Sequence, residues 1–222
     1  MFAGLPGGDN EVEWFRAMLE RIGVLEQIIY SGRRPTHGDP LPVPEEVDAV
    51  ILGGSFHNVS ERLPWQLQLL NWLEVYRDSG KPLMGICGGH QLMSTMMGAQ
   101  VGAVPNAPMN ASLPVELTDQ GRAHYLFDDL GENPVFHFGN YEHVEAAPAG
   151  ATVLAVRPEM PAMALDYGND WVSVQFHPEA DHALSAASWR DSHPEYMDNY
   201  HALPAAPLML RNFLAGTGII SK

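Results

Sequence analysis

The sequence predicts an α/β fold, a mostly parallel, doubly wound sheet with a smaller antiparallel extension. Three observations point there. Through the first hundred residues, short apolar runs that stop at glycine alternate with stretches of helical apolar spacing. The second half changes to short strand-like segments joined by turns. The chain has 222 residues, 45% of them hydrophobic, which is enough for one domain with a full core.

Asp9 and Asn10 are the candidate caps of a helix over roughly 11–22, whose Trp14, Phe15, Met18, Leu19 and Ile22 fall at helical spacing. A strand is predicted near 24–30, from Val24, Leu25, Ile28, Ile29 and Tyr30. Four prolines make 32–44 a loop. The run from Asp48 to Leu52, stopped by Gly53-Gly54, reads as a buried parallel strand. Pro64 opens a helix that carries Trp65, Leu69, Trp72, Leu73 and Tyr76 to about 78, where Gly80 follows as a stop. Lys81 to Ile86 is the next strand, followed by a glycine-flanked cysteine and an apolar helix over about 89–97. Segments near 113–117, 134–138, 151–156, 162–166 and 171–176 read as short strands, with a hairpin at Tyr167-Gly168-Asn169-Asp170. A polar stretch, 180–203, precedes a last amphipathic helix over about 205–214, carrying Leu208, Met209, Leu210, Phe213 and Leu214. A parallel sheet of this type opens on an apolar strand. Only Met1 to Leu5 stands in that place, so the first strand is either very short or truncated.

Composition narrows the function classes. Twelve Lys and Arg against 27 Asp and Glu give a net charge of −15, which argues against nucleic acid or an anionic membrane as partner. The single cysteine, Cys87, excludes an intrachain disulfide framework and a thiolate zinc cluster. No apolar run approaches the ~18 residues of a membrane span. No basic segment followed by an apolar stretch marks the N-terminus as a secretory signal. An acidic, cytoplasmic, globular protein is the expectation.

The chemistry concentrates at Gly85-Ile86-Cys87-Gly88-Gly89, a G-x-C-x-G turn between an apolar strand and a helix. That context is a nucleophile elbow. The nucleophile sits on strained dihedrals, and neighbours two positions away must lack side chains for the backbone to pass closely. The helix that starts there aims its amides and positive dipole end at the sulfur, which favours the thiolate. The Gly88 amide faces a developing oxyanion. An inert, buried cysteine in a glycine-rich turn fits the same residues, but glycines on both sides of it in a strand-turn-helix context weigh against that.

A thiolate nucleophile needs a base and a group to orient it. Trp171 to Phe176 alternates like a strand and delivers His177-Pro178-Glu179 at its end, where sites gather in open α/β sheets. A second copy, His193-Pro194-Glu195, has no apolar strand before it and is predicted as a loop or cap. Asp181, His182, His193 and Glu195 lack metal-ligand spacing. His57, His90, His124, His137, His143, His182 and His201 read as surface or hydrogen-bonded structural residues. Gly53-Gly54-Ser55 follows the strand 48–52, so its amides emerge at the same sheet edge as Cys87, where one completes an oxyanion hole with Gly88.

In order and spacing, Gly53-Gly54-Ser55, the stretch Pro82 to Gln91 and His177-Pro178-Glu179 resemble the class I glutamine amidotransferases, of the GMP-synthase-like, stand-alone kind. The resemblance covers roughly 10–180 and the final helix. It implies a flavodoxin-like sheet in one amidotransferase domain over 1–222, with an insertion at about 180–203. It also implies a triad of Cys87, His177 and Glu179, and an oxyanion hole from the Gly54 and Gly88 amides. Gln91 and Ser55 are implied as substrate contacts. Asn140-Tyr141 stands where GMP-synthase-like members carry a serine–histidine pair beside the substrate.

The implied reaction is hydrolysis of the side-chain amide of glutamine through a cysteinyl thioester, with no metal or organic cofactor. The chain has no G-x-x-x-x-G-K-[ST] loop and no serine-glycine-glycine pyrophosphatase-type loop. The ammonia would therefore go to a separate synthetase subunit, to a fused partner or to solvent. Two alternatives share the scaffold: a γ-glutamyl hydrolase or peptidase whose pocket differs around Gln91, Asn140 and Tyr141, and a non-catalytic amidotransferase-like binding subunit. The segment 180–203, with Trp189, Tyr196 and Tyr200, is longer than the family's usual passage from the histidine motif to the last helix. A lid, a dimer contact, a partner-docking surface and a plain surface excursion all fit it.

Overall fold

The computed structural model describes residues 11–105, 109–158 and 160–221. Asp9, Asn10 and the short strand expected at Met1 to Leu5 lie outside the described residues. The chain runs α1 (Glu11–Arg21), β1 (Val50–Leu52), α2 (Pro64–Asp78), β2 (Leu83–Ile86), α3 (Gly88–Met96), β3 (Val101–Ala103), β4 (Ser112–Pro114), β5 (Glu116–Leu117) and α4 (Asp119–Arg122). It continues β6 (Val135–His137), β7 (Glu142–Val144), β8 (Thr152–Arg157), β9 (Met160–Asp166), β10 (Trp171–Val174), α5 (His182–Ala187) and α6 (Leu208–Gly216).

The main sheet has the order β1-β2-β10-β9-β8-β5. β1, β2 and β10 are parallel neighbours, and from β10 onward every pairing is antiparallel. A mostly parallel sheet with a minor antiparallel extension is therefore corrected to a mixed sheet, with two parallel and three antiparallel pairings among the described residues. The reason lies in the connections. A parallel neighbour needs a long crossover, which α2 supplies between β1 and β2, whereas β8, β9 and β10 follow one another through short turns that only antiparallel pairs allow.

Strand alternation sends side chains to two cores. Leu83 and Trp171, with Leu52, pack against Leu69, Leu73 and Tyr76 of α2 and Leu92 and Met93 of α3. Met84, Ile86, Val172 and Val174 pack on the other face against Phe15, Met18 and Leu19 of α1 and Met209, Leu210 and Phe213 of α6. Helices thus cover both faces of the parallel half. Among the described residues no helix is long and apolar enough to cross a membrane.

The strand expected at 24–30 does not form. Leu25–Gln27 makes a single 3-10 turn, with Gln27 N donating to Val24 O at 3.0 Å. That turn takes the backbone out of any ladder, although Val24 is still fully buried and Ile29 faces water. The pair β3–β7 was not foreseen. Each strand is three residues long, and the polar Glu142-His143 of β7 gives no apolar alternation even though both side chains are buried.

The segment 180–203 folds back over the sheet edge. Asp181 caps α5, accepting from Leu184 N at 2.9 Å. Trp189 is buried and donates to Tyr200 Oη at 2.6 Å, and Tyr200 Oη donates to Phe138 O at 2.6 Å.

A buried polar chain ties α3 to β10. His90 Nδ1 meets Ser173 Oγ at 2.7 Å, Ser173 Oγ meets Tyr167 Oη at 2.8 Å, and Tyr167 Oη meets Ser94 Oγ at 2.8 Å. Burial drives His90 down to about 3 and His137 down to about 4, the latter aided by the positive charge of His177. Between those values and the ordinary 6.5, the unfolded imidazole holds a proton that the folded one refuses, so stability rises with pH through that window. His90 alone supplies a slope of up to about 1.4 kcal/mol per pH unit. The melting temperature is expected to fall on acidification from pH 7 to pH 5, and to fall less steeply in His90→Gln. Parallel wild-type and variant profiles from thermal melts would contradict this.

Candidate active site

Cys87 joins β2 to α3 with φ 51° and ψ −107°. A non-glycine residue held at positive φ costs on the order of 1–3 kcal/mol, so its surroundings must hold it there. Cys87 N donates to Val174 O at 2.8 Å, and Gln91 N donates to Cys87 O at 3.0 Å. Packing explains the flanking glycines. A Cβ on Gly85 would lie 2.4 Å from Met93 Sδ and 2.8 Å from the Gly89 carbonyl carbon, and one on Gly89 would lie 2.1 Å from Leu52 O. The elbow is wedged between its own helix and β1.

Beyond β10 the chain continues to His177, whose N donates to His137 O at 2.8 Å. His177 Nδ1 lies 2.7 Å from Glu179 Oε1. Glu179 is fully buried, while the His177 side chain keeps 19% exposure. The imidazole also interacts with the Cys87 side chain. Burial alone would lower the His177 pKa, but the Glu179 carboxylate and then Cys87 outweigh it, and the ring is held well above its ordinary value. The neighbouring His137 stays neutral, so one imidazole of the pair carries charge.

The second histidine motif behaves differently. His193 Nδ1 meets Glu195 Oε1 at 3.1 Å on the surface, and its ring stacks on Tyr196 at 4.8 Å. Asp181 serves as the cap of α5, and among the described residues Asp181, His182, His193 and Glu195 do not gather into a metal-binding cluster.

The turn after β1 lies against the elbow. A Cβ on Gly54 would sit 3.1 Å from His177 Cε1 and 3.8 Å from Cys87 Sγ, and one on Gly88 would sit 3.2 Å from Ser55 N. Gly88 is the first residue of α3, whose leading amides have no partner inside the helix. Ser55 lines the same cavity, with its hydroxyl accepting from His57 N at 3.0 Å. Gln91 is buried, and its Nε2 donates to Glu142 O at 2.7 Å and to Gln175 Oε1 at 3.1 Å. Asn140 Nδ2 donates to Glu142 O at 2.9 Å, while its buried Oδ1 has no hydrogen-bond partner among the described residues. Tyr141 is half-exposed at the cavity rim.

Two residues escaped the sequence reading. Gln175 is fully buried, and its Nε2 reaches Cys87 Sγ at 3.7 Å. A polar residue inside an apolar strand two positions before His177 was the available signal. Glu142 is buried against the cavity and accepts from both the N and Oγ of Ser60. That pairing spans 82 positions, so no local pattern could reveal it. Gly54, Ser55, Cys87, Gln91, Asn140, Glu142 and His177 border one cavity of about 460 Å³.

Residues 24–191 match the glutamine amidotransferase class-I family. The chain is 29% identical over 189 residues to a glutamine-hydrolysing GMP synthase of Aeropyrum pernix, covering 85% of this chain but only 33% of that protein's length. It is 30% identical over 163 residues to one subunit of a glutamine-hydrolysing GMP synthase of Ignicoccus hospitalis, covering 71% of this chain and 80% of that protein. The structure of a glutamine amidotransferase from Thermotoga maritima, 20% identical, superposes with a TM-score of 0.73 over 92% of both chains. That likeness is one of fold.

Glu179→Gln removes the charge that outweighs burial at His177. The His177 pKa, followed by ring NMR, is expected to drop toward or below 6.5. An unmoved titration would show that Glu179 does not hold the imidazolium.

Proposed function

The chain belongs to the class I glutamine amidotransferase family, and on that footing we propose that it hydrolyses the side-chain amide of glutamine through a cysteinyl thioester. The observation that carries the proposal is the line Cys87–His177–Glu179, with the imidazole beside the thiol on one side and 2.7 Å from a buried carboxylate on the other. In this reading His177 holds the proton taken from Cys87, and Sγ attacks the amide carbon. The tetrahedral oxyanion forms beside the Gly54 and Gly88 amides, which accelerate the step only as far as they fit the oxyanion better than the carbonyl. His177 gives its proton to the nitrogen as the C–N bond breaks, and ammonia leaves. Water then transfers a proton to His177 and attacks the thioester, releasing glutamate and the thiol. Glu179 keeps the ring in the productive tautomer and stabilises its charged form. Gln175 supports this chemistry as a donor aimed at the sulfur.

The same reading takes 1–222 as one amidotransferase domain with an insertion at 180–203, and Gln91, Ser55, Asn140 and Tyr141 as the substrate's surroundings. The likeness to a single subunit of a GMP synthase supports delivery of ammonia to a separate synthetase partner. In that arrangement free glutaminase turnover is low until the partner binds.

A diazoketone analogue of glutamine tests the proposal independently of turnover. Intact-protein and peptide mass spectrometry are expected to place one adduct on Cys87. Cys87→Ala is expected to lose the adduct and to lower glutamate release by on the order of 10³-fold or more. Unchanged glutamate release in that variant would overturn the proposal.

A further inference from the structure

The cavity at Cys87 is roomier and more apolar than a small polar amino acid needs. We infer that the site prefers γ-glutamyl amides of neutral, apolar amines, aromatic ones above all, over free glutamine. The inference rests on the thioester chemistry proposed above and concerns only what the leaving nitrogen carries.

The volume of about 460 Å³ falls within the range of roughly 300–1,000 Å³ that holds much larger ligands. Its floor is polar, with Cys87, His177 and Asn140. Its outer wall is Trp14, Phe56, Tyr141, Leu184 and Trp189. Phe56 and Tyr141 are 50% and 43% exposed, so two large rings stand at the mouth of the cavity in contact with water. Trp189 spends its one polar atom internally on Tyr200, whose hydroxyl is in turn committed to Phe138 O, and its ring faces that of Tyr141 at 5.6 Å. Ser185 and Ser188 beside it spend their hydroxyls on Asp181 O and Ser185 O, so this wall presents mainly carbon.

Its position points to the leaving group. The nitrogen that departs must lie within reach of His177. The chain passes directly from Glu179, which holds His177, into Ala180 and then Leu184, both of which line the cavity. Whatever the nitrogen carries thus meets the aromatic wall, where ring burial and offset ring pairing are favourable. Charge decides between apolar amines and peptides. Among the described residues lining the cavity there is no Lys or Arg, while Glu13 and Glu142 stand there. Apart from the His177 ring, which the Glu179 carboxylate already holds, a leaving amine that carries a carboxylate finds no counter-charge from Lys or Arg. The reaction balances as before: the Sγ–C bond forms, the C–N bond breaks, and the amine leaves with the proton from His177. Water then releases glutamate.

The test compares kcat/KM of the wild-type chain for γ-glutamylbenzylamide, γ-glutamylethylamide, γ-glutamylglycine and glutamine. The benzylamide is expected to exceed the ethylamide and glutamine by at least about tenfold, with γ-glutamylglycine last. Phe56→Ser and Leu184→Ser are expected to lower the benzylamide-to-ethylamide ratio; a loss common to both substrates would leave that ratio unmoved. Glutamine turned over as efficiently as the benzylamide, or a ratio unchanged in both variants, would overturn this inference while leaving the glutaminase reading standing. Failure to hydrolyse any of the four, with no diazoketone adduct on Cys87, would overturn the thioester reading and this inference with it.

Discussion

Everything at the candidate site depends on three strands lying side by side in the same direction. β1, β2 and β10 are parallel, with Leu52 opposite Gly85 and Val174 opposite Ile86, so their carboxyl ends share one edge. The next residues of each chain segment then have nowhere else to go. Gly54 follows β1, Cys87 follows β2 and His177 follows β10, and the three arrive in mutual contact. Cys87 extends the ladder by one further bond to Val174, which couples the position of the sulfur to that of the imidazole.

The elbow and the charge pair lean on each other. Positive φ at Cys87 is an unfavourable conformation that close packing of Gly85 and Gly89 keeps in place. Glu179 is fully buried, and a buried carboxylate is tolerated only with a partner, which His177 supplies at 2.7 Å. His90 and His137, buried without such a partner, stay neutral. His90 is bound to the hydroxyl of Ser173, and His137 to that of Ser112 at 2.9 Å. Of these three rings, His177 alone carries the positive charge.

The segment 180–203 supplies part of the cavity's lining, from Ala180 to Tyr200. It leaves the sheet immediately after Glu179 and returns by way of Tyr200, which is pinned to Phe138. Being tied at both ends, it adds a wall without disturbing the strands beneath it.

How much of this was readable from the chain differs by kind of feature. Gly85, Cys87 and Gly89 were readable because an elbow forces glycine by local geometry, and local geometry is written in neighbouring residues. His177-Pro178-Glu179 was separable from His193-Pro194-Glu195 because an apolar strand precedes only the first. The strand expected at 24–30 failed because an apolar run reports burial and not hydrogen bonding, and Val24 is buried in a 3-10 turn as well as it would be in a strand. The balance of parallel and antiparallel pairing, the donor Gln175 at Cys87 and the Glu142–Ser60 contact were decided by the tertiary structure alone. They join positions distant in the chain, and their energies depend on which backbones become neighbours, a property that no window of sequence contains.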